Sequence, residues 1–286
     1  MDGAADEQQI PWLYHAMDMS ALNFCTFAIC KGNGLSESDQ LLLGSPNGID
    51  SGGVDVFRLP SQTRILQLHS QKQNTTGMVM ALAMFKTSKG ELCLVSGYED
   101  GRVMIHLHAD SVAADAASWQ QIMEHKPHTQ PILSLTLSPQ YDYCISSSAD
   151  AVLAKMEIPD FAASRSVAAG SIKITNTKHA GQQGLAIRSD GKILATAGWD
   201  ARTRVYSTKT MSELAVLKWH KDGCSSTAFA EILTANMVKD DDILSPVSSH
   251  ATSLDRIRND RNSKAQQTHW LASGGKDGKI ALWDIY

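Results

Sequence analysis

The sequence predicts an all-β fold built from repeated small antiparallel sheets. The clearest repeat is residues 270–286, where two short apolar strands flank a Gly/Asp turn and end on a Trp-Asp pair. The same frame recurs around Asp100, Asp150 and Asp200. One such unit cannot bury both faces of its sheet, and repeats at a period of roughly 40 to 45 residues are typical of a β-propeller, whose blades pack against each other.

The spacing of the turn aspartates supports one common frame. Asp100 to Asp150 spans 50 residues, and so does Asp150 to Asp200. The step from Asp200 to Asp277 is 77 residues, and its excess matches a polar insertion at about residues 234–267. Insertions in repeat proteins map to loops. We therefore expect a solvated, disordered loop between the first two strands of the last blade, and the alternative is a partner-binding or phosphorylated tether, since Ser245 precedes a proline.

A fainter copy led by His15 precedes these four and brings the number of blades to about five. Because rings of this kind most often have seven blades, about two are expected to be missing, which leaves an open arc with exposed faces. Residues 10–14 fit either an outer strand for the last blade or the outer strand of a preceding blade. The predicted blades follow a disordered N-terminus at 1–9 and span about 10–66, 67–122, 123–176, 177–217 and 218–286.

The repeated frame resembles the WD40 repeat. In that family, His, Ser/Thr, Asp and Trp of one blade form a buried hydrogen-bonded relay that ties the loops to the sheet. The resemblance assigns a complete relay to the last blade, formed by His220, Ser273, Asp277 and Trp283. It assigns partial relays to two other blades, one formed by His179, Thr196 and Asp200 and one by His69, Ser96 and Asp100.

The blade around Asp150 leaves the relay histidine open between His125 and His128. Its Trp position holds Met156, which makes no strong hydrogen bond, so Asp150 is expected to find another partner. All four turn aspartates are expected to be buried and hydrogen-bonded.

Composition excludes several classes of protein. The formal net charge is −4, so no basic excess indicates a phosphate-binding surface, and we expect no direct binding of nucleic acid. No window approaches the ~20 apolar residues of a membrane span, and the acidic N-terminus lacks the layout of a signal peptide. Five scattered cysteines indicate reduced thiols.

The sequence offers no convincing catalytic, cofactor or metal site. His106 and His108 share one face of a predicted strand, but no further ligand stands at a suitable spacing. Ser146 to Ser148 lie near Asp150, yet hydroxyls recur at the equivalent position of every blade, which is typical of scaffold. We therefore expect a protein that is not an enzyme and needs no cofactor.

A more specific resemblance is carried by Ala21-Leu-Asn-Phe-Cys25, residues 46–60, Trp219 to Cys224 and residues 268–286. These stretches resemble the fungal ASTRA-associated WD-repeat family, a relative of the animal G-protein β-subunit-like propellers. The resemblance covers roughly residues 11–286 and corresponds to the last five of seven blades.

The resemblance implies a scaffold subunit of the ASTRA complex, involved in chromatin remodelling and in maturation of phosphatidylinositol-3-kinase-related kinases. The implied partners are RuvB-like AAA+ ATPases, kinase-maturation adaptor proteins and a large pseudokinase, in the nucleus or also in the cytoplasm. The alternative is a WD-repeat adaptor of another type, either a ubiquitin-ligase substrate receptor or a Gβ-like signalling scaffold.

Overall fold

The protein folds into five small antiparallel sheets that follow one another along the chain. The computed structural model describes residues 16–17, 24–32, 40–70, 76–108, 119–159, 171–232, 257–258, 261–262, 264 and 266–285. The all-β prediction is confirmed by the strands in these ranges. The N-terminal predictions for residues 1–9, residues 10–14 and His15 lie outside the described residues.

The first two sheets have four strands each, hydrogen-bonded in chain order. The first contains β1 (Ala28–Lys31), β2 (Leu41–Pro46), β3 (Val54–Leu59) and β4 (Thr63–Leu68). The second contains β5 (Val79–Lys86), β6 (Leu92–Tyr98), β7 (Val103–His108) and β8 (Trp119–His125).

The remaining sheets repeat the same order, and the last has three described strands. The third contains β9 (Ile132–Leu137), β10 (Tyr143–Ser148), β11 (Val152–Glu157) and β12 (Ile172–Asn176). The fourth contains β13 (Gln182–Ile187), β14 (Ile193–Gly198), β15 (Arg202–Ser207) and β16 (Glu213–Lys218). The fifth contains β17 (Cys224–Phe229), β18 (Trp270–Gly275) and β19 (Ile280–Asp284).

Burial follows the position of a strand within its sheet. The second strands β6, β10 and β14 are buried along their whole length, since a neighbouring sheet covers each of their faces. Such strands appear in sequence as continuous runs of apolar and small residues rather than as an alternation. The fourth strand β12, in contrast, is almost fully exposed.

Hydrophobic clusters join each sheet to the next. Four clusters occupy the four interfaces between consecutive sheets, and Leu94, Ile105, Leu153 and Leu271 are fully buried members of the four in turn. The first strands pack in the order β1, β5, β9, β13 and β17, and among the described strands no comparable contact joins β17 to β1. The described sheets therefore form an arc.

The two ends of the arc expose apolar side chains. In β1, Ala28 packs into a cluster while Ile29, on the opposite face, is 48% exposed. In β19, Ala281 is buried while Ile280 and Leu282 are 76% and 66% exposed. Successive side chains of a strand point to opposite faces, so one face of each end strand has no neighbouring sheet in the described structure.

The polar insertion joins β17 to β18, as predicted, but part of it is helical. Residues 257–258, 261–262, 264 and 266–267 are helical and exposed, whereas the sequence predicted a solvated loop throughout. Residues 233–256 lie outside the described residues. The helical stretch contains Arg and Lys with few Gly or Pro, a composition compatible with a surface helix.

Candidate functional site

The turn of each later sheet is tied to the loop that leads into the same sheet. The residue before each turn aspartate donates its backbone N–H to a carbonyl one residue before the first strand, at 2.8 to 3.1 Å. These pairs are Glu99 with Met78, Ala149 with Pro131, Trp199 with Gly181, and Lys276 with Gly223. Positions in the four sheets can be compared by counting from this hydrogen-bonded pair, and we call this common numbering the loop frame.

A β-bulge accompanies this frame at the same place in all four sheets. The register between the first and second strands skips one residue there, which is Met80, Leu133, Gln183 or Ser225. Bulges of this kind redirect side chains at the rim of a sheet. In each of the four later sheets, the turn aspartate therefore faces the leading loop in the same geometry.

In the fifth sheet the structure brings all four predicted relay residues together. His220 Nδ1 lies 3.1 Å from Asp277 Oδ1, and His220 Nε2 lies 3.0 Å from Ser273 Oγ. Trp283 Nε1 donates to the same hydroxyl at 3.0 Å. Because a carboxylate only accepts, the neutral imidazole donates from Nδ1 and accepts the Ser273 proton at Nε2.

The histidine and serine of this relay are buried, and its aspartate reaches the surface of the turn. Ser273 and His220 are 1% and 4% exposed. Asp277 also accepts the backbone N–H groups of Lys221 and Lys279 at 3.2 and 3.3 Å. Desolvation raises the pKa of Asp277, but these hydrogen bonds and His220 outweigh it and hold that pKa below its ordinary value. The ionised carboxylate thus fixes two loops at once.

The third sheet contains a second relay, and its histidine is His128 rather than His125. His128 Nδ1 lies 3.1 Å from Asp150 Oδ1, and Nε2 lies 2.9 Å from Ser146 Oγ. Asp150 also accepts the backbone N–H groups of Thr129 and Val152, each at 3.0 Å. The expectation that Asp150 needs another partner is therefore wrong, because Met156 at the Trp position deprives Ser146 of a donor and leaves the carboxylate fully engaged.

The site prediction left out His128, Ser146 and Asp150 as a set. A spacing present in the sequence identifies them. In the loop frame, His128 and His220 both stand three residues before the carbonyl that accepts the turn N–H, at Pro131 and Gly223. His125 is part of β8 and lies outside the frame.

In the fourth sheet the predicted set His179, Thr196 and Asp200 does not form a relay. His179 Nδ1 is 3.9 Å from Asp200 Oδ2, and both side chains are about 40% exposed, at 42% and 38%. The frame position three residues before Gly181 belongs to Lys178, so His179 stands one residue too late.

Gln182 and Arg204 take the place of that histidine. The hydroxyl of Thr196 donates to Gln182 Oε1, and Asp200 pairs with the buried guanidinium of Arg204, whose Nη1 lies 3.0 Å from Oδ1. Desolvation raises the pKa of Asp200, but the Arg204 hydrogen bonds and charge lower it below the ordinary value. In the fourth sheet, Thr196 and Asp200 are thus still hydrogen-bonded to side chains of the same sheet, but without a histidine.

In the second sheet the predicted set His69, Ser96 and Asp100 is not brought together either. Ser96 Oγ instead donates to the hydroxyl of Tyr98 at 3.1 Å. Tyr98 occupies the frame position that Ser148 and Gly275 hold in the two sheets with relays, and it is much larger than either. Its hydroxyl takes the contact with Ser96 that a relay histidine makes with the serine of its own sheet.

The loop that contains His69 binds the preceding sheet instead. Asp50, in the turn between β2 and β3, accepts the backbone N–H of Ser70 at 2.8 Å and that of Gly52 at 3.3 Å. Desolvation raises the pKa of Asp50, but these bonds and the nearby His69 outweigh it and lower that pKa. The frame position three residues before Met78 is residue 75, outside the described residues.

The expectation that the four turn aspartates are buried is wrong as stated. All four are hydrogen-bonded or ion-paired, but their side chains keep contact with water. The side-chain exposures of Asp277, Asp150, Asp100 and Asp200 are 11%, 14%, 19% and 38%. A carboxylate that accepts several bonds at a turn still reaches solvent, which lowers the cost of keeping it ionised.

Within the described parts of the chain, no group of three or more His, Cys, Asp and Glu is arranged to hold a metal ion. The candidate pair His106 and His108 is buried, and desolvation lowers the pKa of His106 to about 4. The cysteines that the structure describes are all free thiols. Among described residues, none of the helical segments has the length and apolar character of a membrane span.

The sequence is similar to those of known proteins. The WD40 family, described as "WD domain, G-beta repeat", matches residues 119–153 and 263–284. The chain is 44% identical over 322 residues to ASTRA-associated protein 1 of Penicillium rubens, which covers 96% of this chain and 72% of that protein. The protein of the same name from Aspergillus niger is 43% identical over 316 residues, again with 96% and 72% coverage.

A vertebrate relative is more distant. The guanine nucleotide-binding protein subunit beta-like protein 1 of Mus musculus is 28% identical over 272 residues, with 94% of this chain and 68% of that protein covered. The fungal relatives combine higher identity with coverage of nearly the whole chain. From that similarity and from the WD-repeat sheets, the chain belongs to the WD-repeat family of the fungal ASTRA-associated protein 1.

Proposed function

We propose that the protein is a non-catalytic scaffold subunit of an ASTRA-like complex. The observation that carries this proposal is that the serine of each of the two His-Ser-Asp sets is buried and inaccessible to a substrate. Their atoms have the order and distances of a hydrolytic triad, but a serine nucleophile must reach its substrate. Ser146 and Ser273 are 0% and 1% exposed, so both sets act as clamps on the loops.

The clamped loops give the protein a rigid face for protein contacts. Each later sheet contributes a turn and a leading loop held by backbone hydrogen bonds, and side chains such as Trp199 and Trp219 project from them with 46% and 50% exposure. Loops positioned by a rigid scaffold are where binding residues concentrate. A subunit of this kind brings other proteins together without a reaction of its own.

The finer role rests on the names of the fungal relatives and on the family resemblance. It comprises participation in chromatin remodelling and in the assembly of phosphatidylinositol-3-kinase-related kinases, within the nucleus. The partners would be RuvB-like AAA+ ATPases, kinase-maturation adaptors and a large pseudokinase. The 28% identity to the mouse Gβ-like protein supports an alternative, a signalling scaffold or another type of WD-repeat adaptor.

Affinity purification from fungal nuclear extract tests the proposal. The chain would be tagged at its N-terminus, washed at moderate salt and compared with a tag-only bait. Recovery of RuvB-like ATPases and kinase-maturation adaptors is expected. Recovery of cullin-type or G-protein partners without them would favour the alternative, and recovery of chaperones alone would contradict both.

A serine variant tests the non-catalytic part separately. Ser273→Ala removes the hydroxyl but keeps the buried site small, so at a temperature where the protein is folded it should support the growth of a strain that depends on this gene. A loss of growth with normal folding and normal partner recovery would indicate a chemical role for Ser273.

A further inference from the structure

The end of β16, the loop that leads from it into the fifth sheet and the turn of that sheet carry basic and aromatic residues that the relay itself does not require. Trp219 is 50% exposed and lies beside the relay histidine, with the two rings 5.2 Å apart and nearly perpendicular. Four exposed lysines lie next to it in sequence or on the facing turn. We call this surface the Trp219 patch; its residues are Trp219, Lys218, Lys221, Lys276 and Lys279.

Hydrogen bonds fix the backbone of the patch. Lys221 N donates to Asp277 Oδ2, and Lys276 N donates to the carbonyl of Gly223 at 2.8 Å. Lys279 N donates to Asp277 Oδ1, and its Nζ lies 5.5 Å from the centre of the Trp219 ring. Binding to such a surface requires less ordering than binding to a free loop.

The lysines of the patch have no carboxylate partner among the described residues, and Lys279 lies over the Trp219 ring. In the described part of the chain none of the four forms a salt bridge, whereas Lys126 and Arg102 of the second sheet both pair with Asp100. Two carboxylates lie nearby. Asp277 is engaged in the relay, and Asp222 accepts the N–H of Gly223 at 2.6 Å. A local positive excess therefore stands on a chain of net charge −4.

The patch continues onto the neighbouring sheet. Trp199 is 46% exposed, and its indole N–H donates to Gln183 Oε1 at 2.8 Å, which fixes the ring. A Cβ placed on Gly223 would lie 3.1 Å from the carbonyl of Trp199, so the two loops touch. The loop that holds Trp199 therefore adjoins the loop that leads from Trp219 into the fifth sheet.

We propose that the Trp219 patch binds an acidic peptide segment of a protein partner, with Asp and Glu side chains at the lysines and an apolar side chain against Trp219. Exposed tryptophan is enriched among the residues that dominate protein interfaces, and complementary charge sets orientation and association rate. A nucleic acid is disfavoured, because the carboxylates of Asp222 and Asp277 lie beside the patch and the chain as a whole has a net charge of −4, so the surface lacks the extended basic excess that a phosphate backbone requires. This inference deepens the proposed scaffold function and rests on it.

Fluorescence anisotropy with a labelled peptide of Asp and Glu around a central Leu-Phe pair tests the proposal on the full chain. The double reversal Lys221→Glu/Lys279→Glu should weaken binding about ten-fold, since it replaces attraction by repulsion at two sites. Trp219→Ala should weaken it about five-fold, and a peptide without the Leu-Phe pair should not respond to that change. Binding should also weaken as salt rises.

The matched control is Lys192→Glu/Lys209→Glu. Both lysines are exposed in turns at the opposite ends of their strands, and the net charge changes by the same amount. Equal weakening by the two double variants, no binding to the wild-type chain, or tighter binding of a labelled single-stranded oligonucleotide would each overturn the proposal.

Failure of this inference is distinguishable from failure of the proposed function. If the double reversal keeps its nuclear partners and the peptide binds all variants alike, the scaffold function stands and the patch does not. If the peptide binds as expected but no ASTRA-type partner is recovered, the patch stands and its partner belongs to another assembly.

Discussion

Replacing His128 by alanine tests whether the relay of the third sheet stabilises the fold. The imidazole is 1% exposed and bonds to both Asp150 and Ser146. Its loss removes one hydrogen bond to a charged group, worth about 2 kcal/mol, and leaves the buried Ser146 hydroxyl unpaired, which costs about 1 kcal/mol more. We therefore expect the free energy of unfolding to fall by about 3 kcal/mol.

The assay is a urea titration followed by far-ultraviolet circular dichroism, with His125→Ala as the control. His125 Nε2 is buried without a hydrogen-bond partner in the described structure, so its removal should cost less than about 1 kcal/mol. His128→Gln should recover part of the loss, because a glutamine amide both donates and accepts and so offers a partner to Asp150 or to the Ser146 hydroxyl. An equal loss for the two alanine variants would refute the relay assignment.

Three further predictions concern other parts of the arc. Gly101→Ala should cost about 3 kcal/mol and Gly278→Ala about 1 kcal/mol of unfolding free energy, measured by urea titration. Both glycines have positive φ, but a Cβ at Gly101 would clash with the His128 carbonyl oxygen, whereas Gly278 faces open space. Equal losses would contradict this account. Because desolvation lowers the pKa of His106 from 6.5 to about 4, the unfolded chain binds more protons between these values, and stability should fall by about 3 kcal/mol as the pH falls through that range. A pH titration of stability checks this, and a His106→Leu variant with an unchanged slope would contradict it. Leu282→Glu on the exposed face of β19 should reduce concentration-dependent self-association in sedimentation velocity without lowering the melting temperature, and unchanged association would show that this face is not involved.

The spacing of the turn aspartates was sufficient to predict the all-β class and the repeated frame. Insertions add residues between strands without disturbing the frame, so β17 and β18 are paired although the chain between them is long. Periodicity does not specify the conformation inside an insertion. Local helix propensity decides that, and this explains why the helical residues near 257–267 were not predicted.

The relays show where pattern matching by residue type fails. His179 and His69 are histidines upstream of a turn aspartate, yet one stands a single residue out of frame and the other binds near Asp50. The relay depends on position to within one residue, because an imidazole must reach a serine and a carboxylate together. Counting back three residues from the loop carbonyl selects His128 and His220 and rejects the other two.

Tyr98 illustrates a second limit. A side chain large enough to fill the place of a relay histidine, and polar enough to satisfy Ser96, makes the histidine dispensable. Recognising this from sequence requires noting that the two sheets with relays hold small residues, Ser148 and Gly275, at the frame position of Tyr98. The size and polarity of one side chain therefore decide which polar groups meet.

The two relays have nearly the same geometry but close chain segments of different length. His128 and Asp150 are 22 residues apart, whereas His220 and Asp277 are 57 residues apart. The entropy of loop closure grows with the logarithm of length, so the longer segment costs roughly 0.8 kcal/mol more to close. On this entropic difference alone, the relay of the fifth sheet opens more readily than the relay of the third, and Trp219, whose ring lies beside His220, depends on the less easily closed of the two.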